Sequence, residues 1–229
     1  MNASRNSLLR QFGSSMVEVL VTLIILLVGL LGLAGVMVQG QRSEVESYQR
    51  VQALILLQDI AGRINANRQA ATCYAYTTNT VNGTPYLGAS GVGGKVTPVP
   101  ATACTVAMIQ AIYPSMPAAT ATLQATTAVS DMNAWHNALL GAAEVSGGNV
   151  GAMVGARGCI SYGGGTELLN PANGAQIVGT GVYTLAVAWQ GLSPTAIATP
   201  NCGQGLYGAN DAQRRVVSLT LRTASLTTQ

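Results

Sequence analysis

The sequence predicts an α+β protein, with one long N-terminal α-helix followed by a head built on a small antiparallel β-sheet. Three observations predict it. Residues 19–41 form a run of 23 without a charged side chain. Helical periodicity continues beyond that run to residue 68. The last third holds three strand candidates, two of them with clear alternation, joined by linkers too short on helix for βαβ units.

The apolar run is long enough for one bilayer span, which needs about 20 residues. No second run of that length follows, which excludes a multi-span transporter or channel. Residues 43–68 then contain no Pro and one Gly, Gly62. Leu54, Leu57, Ala61 and Ile64 fall on one stripe of a 3.6-residue helix. One helix is expected from Met16 to Arg68, about 80 Å long at 1.5 Å per residue. Its first half is apolar all round and its second half amphipathic. Gly29, Gly32 and Gly35 each cost about 1 kcal/mol relative to Ala in a helix. They read either as close-packing positions in lipid or as a soft point in the helix.

Residues 70–128 are rich in Thr, Ala, Gly and Pro. Val92-Gly-Gly and Pro98-Val-Pro100 read as loop. Val106–Tyr113 reads as a short helix or strand. Ser130-Asp131 is expected to open a helix reaching about Ala143, with Met132, Trp135 and Leu139 as its buried face and Asp131 as a first-turn acid. After Gly147-Gly148 come strands at Arg157–Tyr162, Val182–Gln190 and Arg214–Thr223. Alternation in the second buries Tyr183, Leu185, Val187 and Trp189. In the third, Val217, Leu219 and Leu221 alternate with Ser218, Thr220 and Arg222. The linkers hold too little helix for parallel crossovers, so the sheet should be antiparallel.

Only 8% of the residues are charged, against about 25% in ordinary soluble domains. Nine charges lie between residues 69 and 229, so the head surface is neutral and polar. Arg214-Arg215 is the one doublet of basic residues beyond the span, which leaves no basic stripe for nucleic acid. It reads as a solvated strand edge rather than as a contact to an acidic partner. Arg5 and Arg10 precede the span, with no acid among the first 13 residues; Arg42, Glu44 and Glu46 follow it. That asymmetry places the N-terminus in the cytoplasm and the head on the far side. A cleaved secretory signal fits less well, because the run is longer than a typical signal core and no A-x-A-type site clearly ends it. An acid, Glu18, also sits at its start. A carboxylate at the centre of a membrane helix costs about 2.5–3.5 kcal/mol, and less near the interface. Glu18 is therefore either a tolerated interfacial acid or one half of an ion pair.

Gly13-Ser14-Ser15-Met16-Val17-Glu18, followed by the apolar run, resembles the class III signal of type IV prepilins. The resemblance implies cleavage after Gly13 by a prepilin peptidase, N-methylation of Ser14, and a register role for Glu18 against the α-amine of a neighbouring subunit. Ser14 stands where that family usually has Phe. Two unit charges 4 Å apart attract by roughly 4 kcal/mol at an effective dielectric of 20. A pair at one depth would thus set the axial stagger of subunits. Asp131, Trp135, Leu139, Cys159, Tyr183 to Trp189, Cys202-Gly203, Tyr207 and Arg214–Leu221 follow in an order similar to that of the type IV pilus modification (PilV) family of minor pilins. The implied fold is the type IV pilin fold. It divides the chain into a leader at 1–13, a transmembrane or fibre-core helix at 14–41, its amphipathic continuation at 42–69 and a periplasmic head at 70–229. The implied partners are the inner membrane, other minor pilins, the major pilin and the prepilin peptidase and methyltransferase. The implied task is priming of pilus assembly from the fibre tip, in the service of adhesion and twitching motility. A type II secretion pseudopilin shares the N-terminal logic, and an adhesin using residues 74–128 is the reading from another class.

Cys73, Cys104, Cys159 and Cys202 are an even set in a region expected outside the cytoplasm, where disulfides are the default. Their gaps exceed zinc-site spacing. Of three pairings, the sequence-local one, Cys73–Cys104 with Cys159–Cys202, is expected. His136, the single histidine, reads as a surface residue. The acids of the head are too dispersed for a carboxylate pair, and no nucleophile, zincin or phosphate-loop motif is present. Gly163-Gly164-Gly165 reads as a turn. The sequence thus predicts no catalytic residue, metal, cofactor or small-molecule substrate.

Overall fold

The computed structural model describes residues 15–89, 99–141 and 153–224. Gly13, Ser14, the rest of the leader, Val92-Gly-Gly, Gly147-Gly148 and the expected helix end at Ala143 lie outside them. The chain forms two compact units, up to Val45 and from Glu46 onward. The N-terminal unit is the first part of α1, Met16–Ala66. Among the described residues, α1 is the one helix long and apolar enough to cross a membrane. Its apolar side chains from Met16 to Val38 are exposed.

The second unit begins on the same helix. Gln49, Ala53, Leu57, Ile60, Ala61 and Ile64 are buried there. Three of the four stripe residues expected from sequence are in this set, but Leu54 is 42% exposed. The buried face is centred one residue earlier, on Ala53 and Ile60, and leaves Tyr48, Val51, Leu54 and Ile55 uncovered. The helix ends at Ala66, and a 3₁₀ segment, Arg68–Tyr74, turns the chain back. Short strand β1 is Leu87–Gly88. Helix α2, Val106–Ile112, is capped by the Thr105 side chain, which accepts from the Met108 N–H.

Helix α3 spans Ala118–Leu139 and starts directly after Pro117. This corrects the expected start at Ser130-Asp131, which sit mid-helix. The reason is chemical: the buried face of the first turns is Ala121, Ala125 and Ala128, too small to register as a hydrophobic stripe. The Thr122, Thr126 and Thr127 hydroxyls bond to carbonyls on the preceding turn, so these threonines fit within a helix despite their low propensity.

Strands β2 (Arg157–Gly163), β5 (Val182–Gln190) and β6 (Arg214–Arg222) join β1 in a four-stranded antiparallel sheet of order β1-β2-β5-β6. A separate ribbon pairs β3 (Leu168–Leu169) with β4 (Gln176–Ile177). Tyr183, Leu185, Val187 and Trp189 of β5 are buried in one core with the second part of α1 and with α3. The opposite face is covered too: Cys159, Ala186 and Ala188 pack with Cys202 and Tyr207. The chain therefore has the α+β arrangement expected, a long N-terminal helix with an antiparallel sheet, consistent with a pilin-like fold.

Candidate functional site: an apolar anchor and a side-chain lock

Two features stand out, one in each unit. In the first, Glu18 lies in the opening turn of α1, where its backbone N–H donates to the Ser15 carbonyl at 2.9 Å. An acid there is favoured by the helix dipole. Among the described residues no cation lies within ion-pair distance of its carboxylate, and exposed apolar side chains surround it.

In the second unit, five polar contacts fix the register of the second part of α1 on the rest of the head. Arg215 of β6 pairs with Glu46 at 3.1 Å, and the Ser193 hydroxyl donates to the same carboxylate at 3.4 Å. The Trp189 indole N–H donates to the Gln49 side-chain oxygen at 3.1 Å. The Trp135 indole N–H donates to the Leu56 carbonyl at 2.9 Å. Arg63 then bridges Asp59 at 3.0 Å and Asp131 of α3 at 2.9 Å. The Tyr74 hydroxyl donates to the other Asp131 oxygen at 2.5 Å. Burial and the Asp131 carboxylate push the Tyr74 hydroxyl well above the usual tyrosine range. Asp131 is thus no first-turn acid: it ties α3 to both α1 and the 3₁₀ segment.

Two more sequence expectations are corrected here. His136 is 4% exposed, not a surface residue. Its Nδ1 accepts the Gly88 N–H at 2.9 Å, so the ring is a neutral acceptor holding β1, and burial lowers its pKa. Arg214 is fully buried rather than solvated. It pairs with Asp211 at 3.3 Å and donates to the carbonyls of Ala198, Pro200 and Cys202. Arg215 is spent on Glu46. Arg157 is another buried cation, held between the Tyr86 and Tyr207 rings at 5.3 and 4.9 Å. Burial pushes the Tyr207 hydroxyl up to about 12.

The cysteines form two disulfides, Cys73–Cys104 and Cys159–Cys202, the sequence-local pairs. The first ties the 3₁₀ segment to the approach of α2, and the second pins the 200–208 loop onto β2.

The described residues contain no group of three or more His, Cys, Asp and Glu placed to hold a metal. A groove of about 400 Å³ between α2 and α3 is lined by Ala101, Val106, Thr122, Ala125, Thr126 and Val129, and no titratable group lines it. A smaller one of about 240 Å³ lies at the end of α1 beside Arg68 and Gln124. The lock residues drawn from the sequence were Asp131, Trp135 and Trp189, but not their partners. Glu46, Gln49 and Arg63 pair across 68 to 169 residues of chain, a distance that leaves no local signal. Compared with known family models, characterised proteins and solved structures, the chain matches none.

Proposed function

We propose that the chain is a minor pilin. It is processed after Gly13, anchors in the inner membrane by α1 and joins other minor pilins and the major pilin in a complex that primes pilus assembly. The observation that carries this reading is the Gly13-to-Glu18 motif opening directly onto a 51-residue helix. The first part of that helix exposes apolar side chains on every side. An exposed apolar helix needs lipid or other helices around it. Glu18, without a cation among the described residues, suits a role completed by a neighbouring subunit's α-amine. The uncovered stripe of Tyr48, Val51, Leu54 and Ile55 extends the packing surface beyond the span. A pseudopilin of a type II secretion system would use the same features; copurification with pilus or secretion components separates the two.

Mass spectrometry of the mature chain tests processing. A chain starting at Ser14 with a methylated amine is expected; a start beyond residue 30 overturns the reading. Glu18→Ala should still insert in the membrane yet enter sheared fibres at less than a tenth of the wild-type level. Normal incorporation would remove the register role.

A further inference from the structure

β6 is the last strand of the sheet and, among the described residues, pairs with β5 alone. Its register determines which backbone groups face outward. Gln190 lies opposite Arg214, and one step earlier the Gly191 N–H donates to the Gln213 carbonyl at 2.8 Å. In an antiparallel ladder, pairs that exchange hydrogen bonds alternate with pairs that do not. Arg215, Val217, Leu219 and Leu221 therefore bond to β5. Val216, Ser218, Thr220 and Arg222 aim their N–H and C=O groups away from it. The outward carbonyl of Ala212 obeys the same parity and accepts the Thr195 N–H at 2.7 Å, which closes the edge at its start. From Val216 to Arg222 no backbone group among the described residues meets the outward ladder.

Edge strands are ordinarily blunted by proline, a bulge, shortness or charged side chains, and the single charge of this stretch is Arg222 at its far end. This stretch has no proline, and its pairing with β5 runs unbroken over nine residues. On the face shared with Tyr183 and Val187, Leu219 remains 37% exposed, although its neighbours in register are buried.

We propose that the outer edge of β6 from Val216 to Arg222 is a docking site for an extended strand of another protein, one that carries a carboxylate opposite Arg222. The proposal holds whether the subunit serves a pilus or a secretion system. Strand addition would satisfy the outward groups of Val216, Ser218, Thr220 and Arg222. Apolar side chains of the incoming strand would cover Leu219 and Leu221, and small polar ones would lie beside Ser218 and Thr220. Charge selects the occupant. The Arg222 guanidinium donates to the Thr166 and Thr180 carbonyls and has no carboxylate partner among the described residues. A second copy of this chain is poorly suited to supply one. Among the described residues, Glu46, Asp59, Asp131 and Asp211 are in ion pairs, Glu167 accepts from the Tyr162 hydroxyl and the Gly179 N–H, and Glu18 and Glu44 lie within helix α1 rather than in an extended segment. Two β6 strands would bring only arginines to each other, a repulsive combination.

Site-specific photo-crosslinking tests this in the full-length chain, with a benzophenone amino acid at exposed Thr220 in the producing cells. The expected product joins Thr220 to a segment of another protein with alternating apolar residues and an Asp or Glu. Ser218→Pro removes one outward N–H without touching the β5 ladder, and should lower the yield at least tenfold. Arg222→Gln keeps a donor for the two carbonyls but removes the charge, and should lower it severalfold. Crosslinks to a second copy, a crosslinked segment without an acid, no crosslink, or a yield unchanged in Ser218→Pro would each overturn the proposal. If Ser218→Pro loses the near-ultraviolet signal of the folded head, an unchanged yield in Arg222→Gln overturns it instead.

Discussion

One helix carries two opposite designs. Through Val38 the apolar side chains of α1 are exposed to their surroundings; from Gln49 to Ile64 one stripe is buried and the polar side chains of Glu46, Gln49 and Arg63 are each bonded to the head. The backbone is the same, so the difference lies in side chains alone. The first stretch holds together by local hydrogen bonds and leaves its apolar side chains without tertiary packing. The second stretch gets its stability from tertiary packing, as amphipathic helices in globular proteins do. The contrast predicts that substitutions of the same type will have unequal effects along the helix.

Leu57→Ala should produce the largest loss, about 2–5 kcal/mol of head stability, because Leu57 is fully buried. Leu27→Ala, an equal truncation, should change head unfolding by less than about 0.5 kcal/mol. Denaturant titration of the full chain in detergent, followed by tryptophan fluorescence, reads both. Similar losses at the two positions would end the contrast.

Gly158→Ala comes next. A Cβ at Gly158 would lie 2.3 Å from the Trp135 ring, which is itself fixed by its bond to Leu56. The overpacking should cost about 1–3 kcal/mol and blue-shift or broaden the Trp135 emission. Asp131→Asn follows, with about 1–2 kcal/mol expected after allowance for partial solvent exposure. The Arg63→Gln/Asp131→Asn double mutant should then cost less than the sum of the singles. Strict additivity would mean that the two helices are not coupled through this pair.

Much of the architecture was legible in the sequence, for reasons that differ by element. β5 runs from Val182 to Gln190 as its alternation predicts, because large residues sit at every second place. The same strand is also buried on its second face, which the sequence hides in Ala186 and Ala188. Those alanines matter because the 200–208 loop lies on them, a consequence of the Cys159–Cys202 link rather than of local pattern. The first half of α3 was illegible because alanine forms its buried stripe. His136 could have been placed: it falls four residues after Met132 and three before Leu139, on the stripe that already included Trp135. Arg214 could not: Asp211 is close in sequence, but the other partners that bury it are carbonyls of a loop that local pattern does not position. The leader and the Gly13–Ser14 step were read from motif alone.

The smallest predicted effect follows from that buried imidazole. Burial lowers the His136 pKa, so the folded state holds it neutral. Below the ordinary histidine pKa, about 6.5, the unfolded chain takes up a proton that the folded chain refuses. Its contribution is therefore fully present above about pH 6.5 and declines as the pH falls below that value. Unfolding midpoints at pH 7.5 and 5.5 should separate in the wild type and draw closer in His136→Gln, which keeps an acceptor for Gly88. An equal separation in both would assign the pH dependence to other groups.

The lock on α1 also has a mechanical meaning. Its contacts from Glu46 to Arg63 are spaced along about 25 Å of helix. Tension drawn along that helix would load them side by side, in shear, rather than peel them off in turn. Neither disulfide encloses α1 or β6, so none of these contacts is covalently backed. What the disulfides do is ration length. The segments between Cys73 and Cys104 and between Cys159 and Cys202 stay closed even if the head opens. At about 3.5 Å per residue this withholds roughly 100 and 150 Å of chain from any stretch.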